Sequence, residues 1–310
     1  MDLSTEGQML TALSQIFASS TPLPVGIGDD AAVLPASSAS NVVCADMAVE
    51  GVHFKREWSS LAEIGGKVTA ANLADIYSMG AIPKYLLVTA ALPQDFDVEQ
   101  LTELAHGIKE EADREGAIVV GGDLSSSQLL TISITAIGEL PEGKKAIRRS
   151  GAKVGDTVIL SGLTGLSAAG LAALQAGKIN NFLTHHKKPE VAYRMAKVFA
   201  DSSVTSMIDT SDGLLSEAHH LARASLVRIE IDSALLASAP GFAELSAAAS
   251  ALNANVWEWI LAGGEDHAFL ATTSHPLPPG AIEIGRVVAG EGVDVKGIEP
   301  IHSSGWTHFD

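Results

Sequence analysis

The spacing of apolar residues switches repeatedly between a period near two and a period near 3.6, so strands and helices are predicted in alternation. After a short N-terminal helix, Asn41 to Asp46 is expected as a strand running into a turn at Glu50-Gly51-Val52-His53-Phe54. Ser60-Leu61-Ala62-Glu63 has the spacing of a capping box, and the helix it opens carries Ile64, Val68, Ala71 and Leu73 towards Asp75. Tyr85 to Leu92 is predicted as a strand ended by Pro93, and Leu101, Leu104, Ala105, Ile108 and Ala112 form the buried stripe of the next helix. Strands follow at Ile118 to Val120 and Leu129 to Ile137.

Turn formers and charges at Pro141-Glu142-Gly143-Lys144-Lys145 separate two apolar regions and mark the best boundary. Beyond it a strand is predicted at Thr157 to Leu160, helices at Leu166 to Ala176 and Leu214 to Ala224, and a strand at Val227 to Ile231. Such alternation predicts an α/β protein. A chain of 310 residues favours two domains of roughly 150 each, and the expected division is 1–148 and 149–310.

Composition narrows the partners. With 46% hydrophobic and 18% charged residues the chain is globular, and a formal charge of -17 opposes nucleic acid or an anionic membrane as the main partner. The start, MDLSTEGQML, has neither the basic nor the apolar region of a signal peptide, and no apolar stretch of about 18 residues occurs. A cytoplasmic protein is expected. The single cysteine, Cys44, rules out an internal disulfide and a Cys-rich zinc site.

Acidic residues carry the chemistry. Gly26-Ile27-Gly28-Asp29-Asp30, Asn72-Leu73-Ala74-Asp75, Gly121-Gly122-Asp123 and Asp209-Thr210-Ser211-Asp212-Gly213 place carboxylates in glycine-rich turns or beside apolar runs, where a charge without compensation is costly. Divalent cations compensate such groups, and magnesium keeps coordination positions for water and phosphate oxygens. The first motif also fits the dinucleotide fingerprint G-x-G-x-x-A, but its two carboxylates would repel a bare pyrophosphate and Ala32-Val33-Leu34-Pro35 continues as a strand. No P-loop sequence exists. Gly121-Gly122-Asp123 and Gly263-Gly264-Glu265-Asp266 are turns that either present backbone N–H groups to phosphate or need glycine only for a left-handed conformation. Ser211 or Asp212 is expected to cap the helix from Leu214. Arg149, at the domain junction, suits bidentate phosphate binding, although spacing alone favours a solvated basic linker. The pairs His185-His186 and His219-His220 lack any zinc framework and read as surface or core-edge residues, whereas His53 is placed near a ligand. There is no G-x-S-x-G elbow, and Cys44 lies in an apolar strand, so direct phosphoryl transfer by positioning and charge neutralisation is favoured over covalent catalysis.

Taken in order, Gly26-Ile27-Gly28-Asp29-Asp30, Glu50-Gly51-Val52-His53-Phe54, Asn72-Leu73-Ala74-Asp75 with Met79-Gly80-Ala81, Gly121-Gly122-Asp123, Ser211-Asp212-Gly213 and Gly263-Gly264-Glu265-Asp266 resemble thiamine-monophosphate kinase. This family belongs to the ATP-dependent superfamily of aminoimidazole ribonucleotide synthase and selenophosphate synthase. The resemblance spans nearly the whole chain. It implies an N-terminal metal- and ATP-binding domain whose sheet pairs across a homodimer, followed by a C-terminal α/β sandwich. It also implies the last step of thiamine diphosphate biosynthesis: ATP and thiamine monophosphate giving thiamine diphosphate and ADP, in line, with several magnesium ions and no phosphoenzyme. Asp30, Asp46, Asp75, Asp123, Asp209 and Asp212 match the family's metal ligands, and Cys44 and Ala45 lie in a stretch that approaches metal. Gly122, Asp123, Arg149 and Ser211 match its ATP contacts, while His53, Glu265 and Trp306 match its thiamine monophosphate contacts. Transfer is expected to rest on Asp30, Asp123, Asp212 and Arg149.

Three stretches depart from the family pattern: Ala45 stands for a frequent Thr, Ala74 for a Ser, and His267-Ala268-Phe269 for Tyr-Glu-Leu. Two alternatives to the kinase are a selenophosphate synthase-like enzyme and a nucleotide-binding protein without turnover. The first needs a reactive Cys with a nearby Lys in a glycine-rich N-terminal segment, and that pairing is missing.

Overall fold

The computed structural model describes residues 5–21, 23–27, 31–299, 301 and 305. Asp30 and Trp306, both expected in the site, lie outside the described residues. Contacts divide the chain into two compact units, Met1–Ile76 with Ala81–Lys144, and Tyr77–Gly80 with Lys145–Asp310.

The first unit contains α1 (Thr5–Ile16), β1 (Asn41–Val49), α2 (Leu61–Ser78, which runs on into the second unit), β2 (Ile82–Leu92), α3 (Val98–Arg114), β3 (Ile118–Ser126) and β4 (Thr131–Glu139). Reciprocal bonds between Ser60 and Glu63 start α2, with Glu63 N–H donating to the Ser60 hydroxyl at 3.1 Å and Ser60 N–H to the Glu63 carboxylate at 2.8 Å. A second box, Asp97 with Gln100, starts α3. Its stripe of Leu101, Leu104, Ala105, Ile108 and Ala112 is buried as the period predicts. The sheet order is β1-β4-β2-β3, antiparallel except for the β2/β3 pair. Strand β4 buries Ile132, Ile134 and Ala136 on alternate positions. Strand β2 starts three residues before the predicted Tyr85, because a register shift between Pro83 and Tyr85 absorbs the missing proline N–H.

The second unit contains β5 (Thr157–Leu160), α4 (Leu166–Gln175), α5 (Leu183–Lys187), α6 (Tyr193–Asp201), β6 (Ser206–Asp209), α7 (Leu214–Ser225), β7 (Arg228–Asp232), α8 (Ser233–Ala237), α9 (Phe242–Ala251), α10 (Val256–Ala262), β8 (Phe269–Thr273), β9 (Ile282–Val288) and β10 (Gly292–Lys296). Its six-stranded sheet has the order β10-β7-β9-β5-β8-β6. Val158, Leu160, Ile208, Ile229 and Leu270 from the sheet share one core with Leu214, Leu221 and Ile260 from the helices. Both units are therefore α/β. Among the described residues no helix is long and apolar enough to cross a membrane.

Candidate active site

In the first unit, the alternation of β1 turns Cys44 and Asp46 towards α2 and leaves Val43, Ala45 and Met47 exposed. Asn72, fully buried on α2, ties the two elements together. Its side-chain oxygen accepts the Asp46 N–H at 3.2 Å, its backbone oxygen accepts from the Cys44 thiol at 3.4 Å, and its amide donates to Val68 O at 2.9 Å. Burial pushes the Cys44 thiol far above its ordinary range, and the charges of Asp75 and Asp46 push it further. The thiol therefore stays protonated, and Asp46 and Asp75 stand as two carboxylates near one neutral thiol.

His53 is oriented by the turn after β1. Its Nδ1 accepts the Val49 N–H at 3.0 Å, so in the neutral ring Nε2 carries the hydrogen and is a donor. Lys67 donates to the His53 carbonyl at 3.2 Å.

Gly121-Gly122-Asp123, expected as a turn, is the middle of β3 and pairs with Leu87, Val88 and Thr89 of β2. The parallel ladder skips Val120 in a bulge beside Leu86 and Leu87, and pairing through the bulge overrides the turn propensity of two glycines. Glycine is needed at 122 for close approach, since a Cβ there would stand 1.8 Å from the Val88 carbonyl oxygen. Two strands, β4 and β2, lie between β1 and β3, and so between Asp46 and Asp123.

In the second unit, Asp209 ends β6 and is buried at 3% exposure, with its carboxylate 2.9 Å from His267 Nδ1. The residue that departs from the family pattern at 267 is thus the partner of a predicted metal ligand. Gly213, rather than Ser211 or Asp212, occupies the N-cap position of α7, and this cap residue has no side chain to bond the helix end. Its φ of 110° and ψ of 150° are a backbone conformation that favours glycine. Asp212 N–H meets Glu217 Oε1 at 3.4 Å. Burial raises the Glu217 carboxyl to about 7, and the charges of Asp209 and Asp212 add to that rise while Arg149 opposes it. Asp209, Asp212 and Glu217 are thereby neighbours, and Arg149, although exposed, acts electrostatically on the same group. Sequence reasoning missed Glu217. An acidic residue in a helix's first turn satisfies the macrodipole and needs no further reason.

The 263–268 loop closes this cluster. Glu265 N–H donates to Ser211 O at 2.7 Å and His267 N–H to Thr210 O at 3.1 Å, so these amides are engaged with protein oxygens and do not form a phosphate cradle. Three consecutive side chains leave in three directions. Glu265 Oε2 lies 3.4 Å from His186 Nδ1, the Asp266 carboxylate accepts from Gly165 N–H at 2.5 Å and Ser167 N–H at 2.8 Å, and His267 goes to Asp209. Asp266 is the N-terminal partner of α4; burial raises it to about 6, against the pull of those N–H bonds. Glu265 and His267 hold φ values of 65° and 50°, a conformation costing of order 1–3 kcal/mol for each non-glycine residue. At the end of the described chain, Gly305 lies against the same turn, where a Cβ would stand 2.6 Å from the Asp212 carbonyl oxygen.

Among the described residues no three His, Cys, Asp or Glu side chains converge as a ready metal cage. The carboxylate pairs nonetheless suit magnesium, a hard cation that binds oxygen, takes one or two carboxylates and completes its shell with water and phosphate oxygens. The Glu217 carboxyl is raised first by burial and then by the charges of Asp209 and Asp212, and a cation bound there would relieve the second part.

Residues 28–140 match the family described as AIR synthase related protein, N-terminal domain, and residues 153–298 match AIR synthase related protein, C-terminal domain. The chain is 41% identical over 289 residues to the thiamine-monophosphate kinase of Mycobacterium tuberculosis (strain CDC 1551 / Oshkosh), covering 92% of this chain and 86% of that one. It belongs to the thiamine-monophosphate kinase family. Among solved structures of the family, thiamine-monophosphate kinase from Stenotrophomonas maltophilia K279a superposes with a TM-score of 0.81 at 27% identity, covering 94% of this chain and 96% of that one. A complex described as AaThiL with AMPPCP and TMP superposes with a TM-score of 0.79 at 32% identity, covering 97% and 96%.

Proposed function

We infer that this chain transfers the γ-phosphoryl group of ATP to thiamine monophosphate, giving thiamine diphosphate and ADP. The observation that carries this reading is its likeness, across 97% of its length and at 32% identity, to a relative solved with an ATP analogue and TMP. In the reaction the bond between the γ-phosphorus and the β,γ-bridging oxygen breaks, and one forms to a phosphate oxygen of thiamine monophosphate. That acceptor oxygen is already anionic near neutral pH, so no side chain has to remove a proton from it. The demand on the protein is to bring two polyanions together.

Asp46, Asp75 and Asp123 of the first unit, with Asp30, and Asp209 and Asp212 of the second, are the proposed magnesium ligands; Cys44 and Ala45 flank Asp46 in that stretch. Magnesium, when bound, neutralises the β- and γ-phosphate oxygens and the charge that develops on them. Gly122, Arg149 and Ser211 are assigned to ATP. The guanidinium suits a phosphate bidentately. His53, through its Nε2 hydrogen, Glu265 and Trp306 are assigned to thiamine monophosphate, and a carboxylate such as Glu265 is complementary to its permanently cationic thiazolium.

Several magnesium ions, a cytoplasmic setting and a homodimer belong to the same proposal. The dimer has a feature in its favour: β1 is an edge strand whose exposed positions carry Val43 and Met47 at 60% and 58% exposure, a liability for a lone sheet. The selenophosphate synthase-like and non-catalytic alternatives gain no support from the relatives. Purified protein with ATP, magnesium and thiamine monophosphate is expected to form thiamine diphosphate and ADP in equal amounts. ADP without thiamine diphosphate, or no product at any magnesium level, would overturn the reading.

A further inference from the structure

His186 has no part in the reaction as described, yet it is buried at 6% exposure on the five-residue helix α5. Helix α5 is pressed onto α4. A Cβ at Gly170 of α4 would stand 2.3 Å from Phe182 O and 3.0 Å from His186 Cβ, which fixes the histidine backbone against the helix. Two oxygens approach the same ring nitrogen. Ser167 Oγ lies 3.1 Å from His186 Nδ1, and Glu265 Oε2 lies 3.4 Å from it. A bare Nδ1 lone pair would face a carboxylate lone pair, so Nδ1 carries the hydrogen, bonded to Ser167 Oγ and at ion-pair distance from the Glu265 carboxylate.

The residue that carries this carboxylate is anchored along its main chain. Glu265 sits at φ 65°, its N–H bonds Ser211 O, and its neighbours Asp266 and His267 are anchored on α4 and on Asp209. Its backbone is therefore fixed, and the direction of the carboxylate depends on what its oxygens meet. The Glu265 side chain is 31% exposed against 7% for His186, so the contact joins a buried donor to a carboxylate with an open edge.

We propose that His186 is a positioning residue that aims the Glu265 carboxylate at the cationic ring system of thiamine monophosphate. This rests on the assignment of Glu265 to that substrate. A histidine suits the task because its Nδ1 hydrogen turns a positive end towards the carboxylate without the permanent full charge of a lysine or arginine.

The test uses three variants of the full chain. Asparagine places its amide near the Nδ1 position, glutamine places it near Nε2, and alanine removes the donor. With H186A and H186Q the KM for thiamine monophosphate is expected to rise about tenfold, as for loss of a close side-chain contact to a charged group, with kcat and the KM for ATP within about twofold of wild type. H186N is expected to recover most of the loss. In an E265Q background H186A should add nothing further, since the group it aims is no longer an anion. Equal KM values for H186N and H186Q, a parallel rise in the KM for ATP, or an undiminished H186A effect on top of E265Q would each overturn the proposal. Thermal melts identify misfolded protein; if H186A loses its cooperative transition, the comparison of H186N with H186Q decides. The wild-type product assay keeps the two readings apart, because it fails if the kinase assignment is wrong and is indifferent to how Glu265 is held.

Discussion

Asp212 and Asp209 share one turn but have different surroundings. Asp209 is buried against His267, whereas Asp212 follows it on a partly exposed segment whose N–H meets Glu217. Replacing Asp212 by asparagine keeps the shape and removes the charge, so D212N is expected to fold normally and to lose about a hundredfold or more in kcat; steady-state turnover beside a thermal melt checks both halves. Glu217 gives a pH dependence. Its folded-state value near 7 lies above the ordinary 4.5, so the folded protein binds this proton more tightly than the unfolded chain does. The metal-free protein should therefore lose stability as pH rises from about 4.5 through 7, and E217Q should flatten that slope. Urea midpoints at several pH values, without magnesium, measure it; a slope unchanged in E217Q would remove Glu217 as its source. At this scale the sequence displayed the aspartates clearly, because each lies inside a short motif. It concealed Glu217, which passes for an ordinary first-turn acid, and the pairing of His267 with Asp209, which spans 58 positions.

Elements whose cause is local were legible. The Ser60/Glu63 box and the stripe of α3 depend on residues three and four apart, and both form as their spacing predicts. Where pairing decides, local signals misled. Two glycines read as a turn, but β2 draws them into a strand, and the same residues then become the place where two backbones nearly touch. Gly122→Ala is accordingly expected to part β2 from β3 and to cost about 2–4 kcal/mol, with a lower denaturation midpoint and weaker ATP binding. A variant with a wild-type midpoint would show that the strands can move aside. The cap of α7 misled in the same way: Ser211 and Asp212 have the right chemistry, but Gly213 sets the chain direction at that position.

At the scale of the whole molecule, helix and strand alternation announced α/β layers, but not the strand orders β1-β4-β2-β3 and β10-β7-β9-β5-β8-β6, which depend on pairs far apart in sequence. The open edge of the first sheet leads to a prediction about assembly. A charge at Met47, as in M47E, is expected to shift the protein from dimer to monomer in light scattering, whereas the same change at exposed Ile179, outside that sheet, should not. A wild-type protein that is already monomeric would remove the dimer from the proposal.

The division of α2 bears on how the polypeptide can be dissected. Residues 77–80 belong with 145–310, and Tyr77 stacks on Tyr193 at 5.1 Å with the Lys197 ammonium 5.1 Å from its ring centre. Cleavage after Lys144 would strand that tyrosine on the other fragment and uncover the ring of Tyr193, so no single scission releases either half whole. Complementation by split genes would need the missing helical turn grafted back.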